Sequence, residues 1–233
     1  MIPLHDGIPT RRLPVVTFAI IVINVAVFAF ELRLPLWGLS LEGWYYLAGA
    51  RPLELVERVD LPPLGPIPWW ATLFTSPFVH GGWLHLAFNM LYLWIFGNNV
   101  EDAMTRPRFV AFYALCGLVA TTAQVLVAPQ SDVPVIGASG AIAGVLGAYL
   151  VLYPRAQVLT VVPLLVFYPV FTVPAWILLG IWFAVQAVQG LLAYGDPNVG
   201  VAFFAHVGGF IAGMGLAYVF PGHAPARRAV GRA

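Results

Sequence analysis

The sequence predicts an all-α, polytopic membrane protein, a bundle of six transmembrane helices whose fourth helix is short and central. Three observations lead there. Of 233 residues, 61% are hydrophobic and 9% are charged, against roughly 25% charged in a soluble domain. Apolar runs of about 15–20 residues recur along the chain. The basic residues, all of them arginine, gather on alternate connections between those runs.

This composition excludes a water-soluble globule and an intrinsically disordered chain. A formal net charge of +1 leaves no broad basic surface, so no nucleic-acid partner is predicted. The single cysteine, Cys116, excludes an intramolecular disulfide and a cysteine metal cluster. Six spans of about 20 residues would occupy about 120 residues, leaving short loops and no second soluble domain.

The elements follow in order. Residues 1–12 form a cytoplasmic N-terminal segment, and the six-span domain covers 13–220. The first span runs from about Leu13 to Leu32. Arg11 and Arg12 precede it, no small-x-small cleavage site follows, and the pair reads as a topology anchor rather than an export signal. A long loop, 33–68, carries six prolines among Trp37, Trp44, Tyr45 and Tyr46. Proline breaks a spanning helix, and aromatics mixed with charges suit the membrane interface. The second span runs from about Gly82 to Asn99, with Glu101 and Asp102 beyond it as helix-end anchors. The third runs from about Pro107 to Ala128. A short helix spans Ser139 to Tyr153, stopped by Pro154. Residues 156–172, interrupted by Pro163 and Pro169, read as an irregular or interfacial connection. The fifth span runs from about Val173 to Ala193 and the sixth from about Gly200 to Phe220. Residues 221–233 form a cytoplasmic tail.

Arginine placement supports this count. With the N-terminus inside, the inside segments carry Arg11, Arg12, Arg106, Arg108, Arg155, Arg227, Arg228 and Arg232. The outside segments carry Arg33, Arg51 and Arg58, all in one loop. That is the positive-inside pattern, and it places both termini in the cytoplasm.

A strongly polar residue inside a span is costly and marks function by default. The residues singled out on this ground are His80, His85, Asn89, Ser139 and His206. At about 1.5 Å rise per residue, Ser139 lies about 8 Å below the outer face, His206 about 9 Å, and His85 and Asn89 about 5 and 10 Å. His85 and Asn89 are four apart and share a helix face. A serine needs a base to take its proton. A histidine supplies one. An Asn side chain, a His N–H and the amide at a helix start can hold an oxyanion. The pattern is that of acyl-transfer chemistry. No acidic residue is available to orient His206, so a Ser–His dyad is predicted rather than a triad. His80, His85 and His206 lack a carboxylate or cysteine at their depth, so neither a metal nor a cofactor is predicted.

The glycines fit the same picture. Gly140, Gly144 and Gly147 line one face of the short helix, and Gly209 and Gly213 form a small-residue face below His206. Such faces let two helices approach closely in lipid, which would bring His206 within reach of Ser139.

Three motifs then carry a resemblance: His85-x-x-x-Asn89, Gly137-Ala-Ser139-Gly140, and Ala205-His206-x-x-Gly209-x-x-x-Gly213. In this order and on these spans they resemble the rhomboid family of intramembrane serine proteases, along nearly the whole chain. The resemblance implies a rhomboid-like six-helix bundle with a water-filled cavity open to the extracytoplasmic side of a cell membrane. It implies Ser139 as nucleophile, His206 as base and later acid, and His85, Asn89 and the Ser139 amide as the oxyanion hole. It implies single-span membrane proteins as substrates, cut in or near the bilayer next to small residues. It implies a first loop lying partly in the bilayer, and a fifth span, with Trp176, Trp182 and Phe183, flanking lateral entry. Two positions depart from the family pattern. The aromatic residue expected one turn after the serine is Ala143, which leaves the support of His206 unnamed, and the Trp-Arg pair of the first loop is absent.

Two rival functions are a catalytically silent relative that binds membrane-protein clients and a small transporter. Both Ser139 and His206 are present, against the first, and no paired internal repeat is visible, against the second.

Overall fold

The computed structural model describes residues 1–163, 167–195 and 201–220. The expected C-terminal tail, 221–233, lies outside the described residues. Helices dominate, and their boundaries follow the local chemistry. Helix α1 (Val15–Glu31) starts directly after Pro14. Its free N-terminal amides at Val16 and Thr17 donate to the Glu101 carboxylate at 3.0 and 2.7 Å. The Arg11 and Arg12 amides donate to Asp102 at 3.0 and 3.1 Å. The two acids therefore anchor the start of α1, as their position after the second span suggests.

The long first connection is built rather than loose. A 3-10 turn over Leu34–Trp37 is followed by α2 (Leu41–Ala48), where Ser40 Oγ accepts the Gly43 amide at 3.0 Å. Helix α3 (Pro52–Glu57) opens with proline at its first position, and α4 is the single turn Thr72–Thr75. Buried Arg51 holds the connection together. It donates to Glu54 at 2.8 Å, to the Leu61 carbonyl at 3.0 Å and to Asp132, and its guanidinium lies over the Tyr46 ring. A backbone bridge between Ala50 and Val135 completes the link to the 129–138 turn.

Helix α5 (Trp83–Tyr92) runs through a π-turn at Leu93–Gly97 into α6 (Asn98–Ala103). Helix α7 (Arg106–Val127) and α9 (Ala175–Leu192) are long and apolar enough to cross a membrane. Helices α1, α8 (Ser139–Leu152) and α10 (Phe203–Val219) are shorter and apolar. Helix α8 is the core, with every residue from Ala141 to Tyr149 buried. It packs chiefly against α10 and α7.

The α8–α10 contact is made by backbone on backbone. A Cβ on Gly209 would overlap the Gly140 carbonyl, and one on Gly213 would overlap the Gly144 carbonyl. In lipid, where water drives no association between apolar helices, such close packing supplies the attraction.

The all-helical expectation needs one amendment. Strands β1 (Ile2–His5), β2 (Gln157–Val161) and β3 (Val170–Pro174) form a three-stranded antiparallel sheet in that order. The expected irregular connection over 156–172 is thus a hairpin, apart from 164–166, which lie outside the described residues. Its prolines exclude a helix but leave room for short strands at their ends. The buried positions of β2 alternate, with Val158 and Thr160 inward. The N-terminal segment is the third strand, and Asp6 just beyond it is buried. The Asp6 carboxyl accepts from Tyr149 Oη at 2.8 Å and from Asn99 Nδ2. The sheet, the start of α1 and the α6–α7 turn share one end of the bundle. The Arg51 cluster and the 129–138 turn share the other.

Candidate active site

Between the first connection and the nearest turns of α5, α7, α8 and α10 lies a cavity of about 620 Å³. Four of its lining side chains are the ones expected from the sequence: Ser139, His206, His85 and Asn89.

Ser139 is the first residue of α8, so its amide has no partner within the helix. Gly137 just before it has φ +103°, a left-handed conformation that glycine adopts freely. Its amide donates to the Ser76 carbonyl at 2.9 Å. A Cβ there would also press on His85 Nε2 at 2.6 Å, so this glycine serves both the turn and the space beside His85.

His206 lies in the first turn of α10. Its Nε2 is 2.8 Å from Ser139 Oγ. The contact spans 67 residues of sequence and exists because the glycine faces of α8 and α10 touch. His206 Nδ1 is 2.6 Å from Gln186 Oε1. An amide oxygen only accepts, so the ring proton sits on Nδ1 and the Nε2 lone pair faces the serine hydroxyl.

The tautomer of His85 follows by the same logic. Its Nδ1 accepts the Gly81 amide at 3.2 Å, so Nε2 carries the hydrogen and points toward Gly137. Asn89 is buried, and among the described residues its Nδ2 has no hydrogen-bond partner. A Cβ built on Gly137 would be 3.7 Å from that nitrogen. Two side-chain donors thus converge beside Gly137, in the cavity that Ser139 lines.

His80 belongs to the wall rather than the cavity. It is fully buried, its Nδ1–H bonds to the Phe78 carbonyl at 3.1 Å, and its amide donates to Glu31 at 3.3 Å. Its ring packs 5.0 Å from that of His85. It is a packing group of the wall.

Of the glycines expected around the site, Gly140, Gly144, Gly209 and Gly213 all lie at the α8–α10 contact, and Gly137 lies in the turn before Ser139. No group of three or more metal-ligating side chains occurs among the described residues.

Gln186 is absent from the residues singled out by sequence, although the rule that picks out a polar residue within an apolar span applies to it equally. Trp182, one turn earlier on α9, faces the same way, with its ring 6.0 Å from that of His206 and tilted by 41°. Both stand beside His206, and they come from a different helix than Ala143. Phe183 packs on Phe210 at 4.8 Å, and Trp176 is exposed.

Comparison with known proteins gives a consistent picture. The family model for the Rhomboid domain matches residues 68–222, a segment that contains all three sequence motifs. The chain is 43% identical to Rhomboid protease GluP of Bacillus subtilis (strain 168) over 82 residues, 35% of this chain and 15% of that protein. It is 30% identical to Rhomboid protein 1, mitochondrial, of Saccharomyces cerevisiae over 203 residues, 84% of this chain and 51% of that protein. It is 31% identical to the presenilin-associated rhomboid-like protein, mitochondrial, of Mus musculus over 158 residues, 65% and 38% respectively. The chain spans about half the length of these relatives, or less.

Proposed function

The chain belongs to the rhomboid family, a family of membrane proteins, and from that premise we propose that it is an intramembrane serine endopeptidase working through a Ser139–His206 dyad. The observation that carries this reading is the 2.8 Å bond between His206 Nε2 and Ser139 Oγ. Ser139 Oγ attacks the carbonyl carbon of the scissile peptide while its proton passes to His206 Nε2. The new oxyanion takes hydrogen bonds from His85 Nε2–H, Asn89 Nδ2–H and the Ser139 amide. Collapse of the tetrahedral intermediate breaks the C–N bond, and His206 gives its proton to the leaving amine. Water, deprotonated by His206, then hydrolyses the acyl-serine ester and restores the hydroxyl. No metal or cofactor enters these steps.

Substrates are single-span membrane proteins that meet the enzyme within the bilayer, cut near small residues. The bundle crosses a cell membrane six times, with both termini cytoplasmic and the cavity opening on the extracytoplasmic side. Eight of the arginines fall on segments assigned to the cytoplasm and three outside, which supports this orientation. The placement of the N-terminal strand beside β2 at one end of the bundle, opposite the Arg51 cluster, agrees with it.

The test is cleavage of a labelled single-span substrate by purified protein in liposomes, with Ser139→Ala and His206→Ala alongside. Cleavage by the wild type alone supports the dyad, and cleavage that survives Ser139→Ala refutes it. A fluorophosphonate probe labelling the wild type but not Ser139→Ala separates an active enzyme from a silent client-binding relative.

A further inference from the structure

We propose that Gln186 is a positioning residue that selects the catalytically competent tautomer of His206, standing where serine hydrolases with a triad place an acid. The role rests on the protease reading above for its consequence in catalysis, but its geometry is independent of it.

A neutral imidazole carries one N–H, and which nitrogen holds it depends on the partner of the other. Among the described residues, His206 hydrogen-bonds to two polar neighbours: Ser139 Oγ at Nε2 and Gln186 Oε1 at Nδ1. The serine hydroxyl can donate or accept, so it does not choose between the tautomers. The Gln186 amide turns its oxygen to Nδ1 at 2.6 Å, and in that orientation it accepts only and holds the hydrogen on Nδ1. The opposite tautomer would require the amide to turn its NH2 to Nδ1 and would aim Nε2–H at the serine, leaving no base. The Trp182 ring lies 6.0 Å from that of His206 and tilted by 41°, a ring contact that offers neither nitrogen an acceptor.

An amide is also the suitable chemistry at this depth. Gln186 lies in the middle of an apolar helix, where a carboxylate carries a heavy desolvation penalty and a neutral acceptor far less. The residue orients His206 without placing a second charge in lipid.

The location adds a structural condition. Helix α9 is buried only at Ala175, Leu178, Leu179 and Gly190. Gly190 seats on Phe203 and Phe204 at the start of α10, where a Cβ would be 3.1 Å from the nearest atom. Gln186 reaches His206 when α9 is seated there, so the tautomer of the base is tied to the seating of the least buried of the long helices.

The experiment compares three full-length proteins in micelles: wild type, Gln186→Met and Gln186→Glu. Methionine keeps the length and loses the acceptor, whereas glutamate keeps the acceptor. Histidines are labelled with 15N, and the His206 signal is assigned by its loss in His206→Ala. The wild type should show His206 protonated at Nδ1. Gln186→Met should lose that preference and, on a membrane substrate, show kcat lower by about 10- to 100-fold with KM little changed, the rate equivalent of one buried hydrogen bond. Gln186→Glu should keep the Nδ1–H signal and more of the activity than Gln186→Met, with the desolvation cost of the carboxylate holding it below the wild type. A packing role alone would reverse this order, with methionine tolerated and glutamate not. The proposal is overturned if Gln186→Met keeps both the tautomer and kcat, or if the wild type shows the hydrogen on Nε2. A wild type with the Nδ1–H tautomer that cleaves no substrate and takes no serine probe would sustain the positioning role and sink the protease reading instead.

Discussion

Tyr149 Oη donates to the Asp6 carboxyl at 2.8 Å across 143 residues of sequence. The bond ties the N-terminal strand to the far end of the helix that begins with Ser139. Asn99 Nδ2 donates to the same carboxyl oxygen, and Asp6 and Tyr149 are both buried. Truncating the shared acceptor would leave two buried donors unpaired, so Asp6→Ala should destabilise the fold by about 1–3 kcal/mol. The check is thermal unfolding in detergent.

The same carboxyl sets a pH dependence. Burial, the largest cause, raises its pKa above the ordinary 3.8, and the Tyr149 bond opposes this only in part. The folded state therefore holds the proton to higher pH than the unfolded chain. The stability linked to this group is complete below the unfolded value and is lost as pH rises through the raised one. Asp6→Asn keeps an acceptor without the charge. It should be at least as stable as the wild type at pH 7 and should lose the wild type's decline in melting temperature above pH 4.

Gly209 stands against the Gly140 carbonyl with no room for a side chain. Gly209→Val must push α10 away from α8, and the obstacle is backbone, which cannot rotate aside. Overpacking of a core costs about 1–3 kcal/mol where side chains can shift, and here the loss should be at the upper end or beyond. Separation of the helices would also break the Ser139–His206 bond. Gly215→Ala is the control, since nothing lies within 4 Å of a Cβ there. Cleavage and unfolding measured on both variants should show loss in the first and none in the second.

His85 and Asn89 present donors beside Gly137, in the cavity that Ser139 lines. On the proposed mechanism either alanine variant should lower kcat by about 10²–10³-fold while leaving KM close to that of the wild type, as expected for an interaction made in the transition state. Steady-state kinetics on a fluorogenic transmembrane peptide would show it. An equal loss of binding and no loss in kcat would remove them from the oxyanion hole.

Arg51 and its partners test the first connection. Arg51 and Glu54 are both nearly fully buried, whereas the side chain of Asp132 is 52% exposed. Arg51→Ala leaves the Glu54 carboxylate buried without its partner, a change that costs about 3–5 kcal/mol. Asp132→Asn should cost less than about 1 kcal/mol, because an exposed pair is screened by water. Chemical unfolding of the two variants in micelles should rank them in that order.

The sequence by itself determined the helices, the residues that could carry chemistry and the faces on which they lie. Apolar runs and their proline and glycine stops are local, and they place α1, α7, α8 and α9 within a residue or two of the expected bounds, with α10 starting three residues later than expected. Depth along a helix is arithmetic in the rise per residue, and it puts Ser139, His206, His85 and Asn89 at one level. The hairpin left a fainter trace, because its strands are short and its prolines read first as breaks. Tertiary structure alone decided the rest. Strand β1 exists only because Ile2–His5 meets Gln157–Val161, and no local pattern announces a pairing across more than 150 residues of chain. The support of His206 was decided in the same way. The resemblance to the family points to position 143 on α8, which is alanine here, and the groups that stand beside His206, Gln186 and Trp182, come from α9. A helix sequence states what a residue is and which way it faces along its own axis. Which neighbour it faces depends on how the helices pack, and here that packing is set by glycine backbones in contact on α8 and α10.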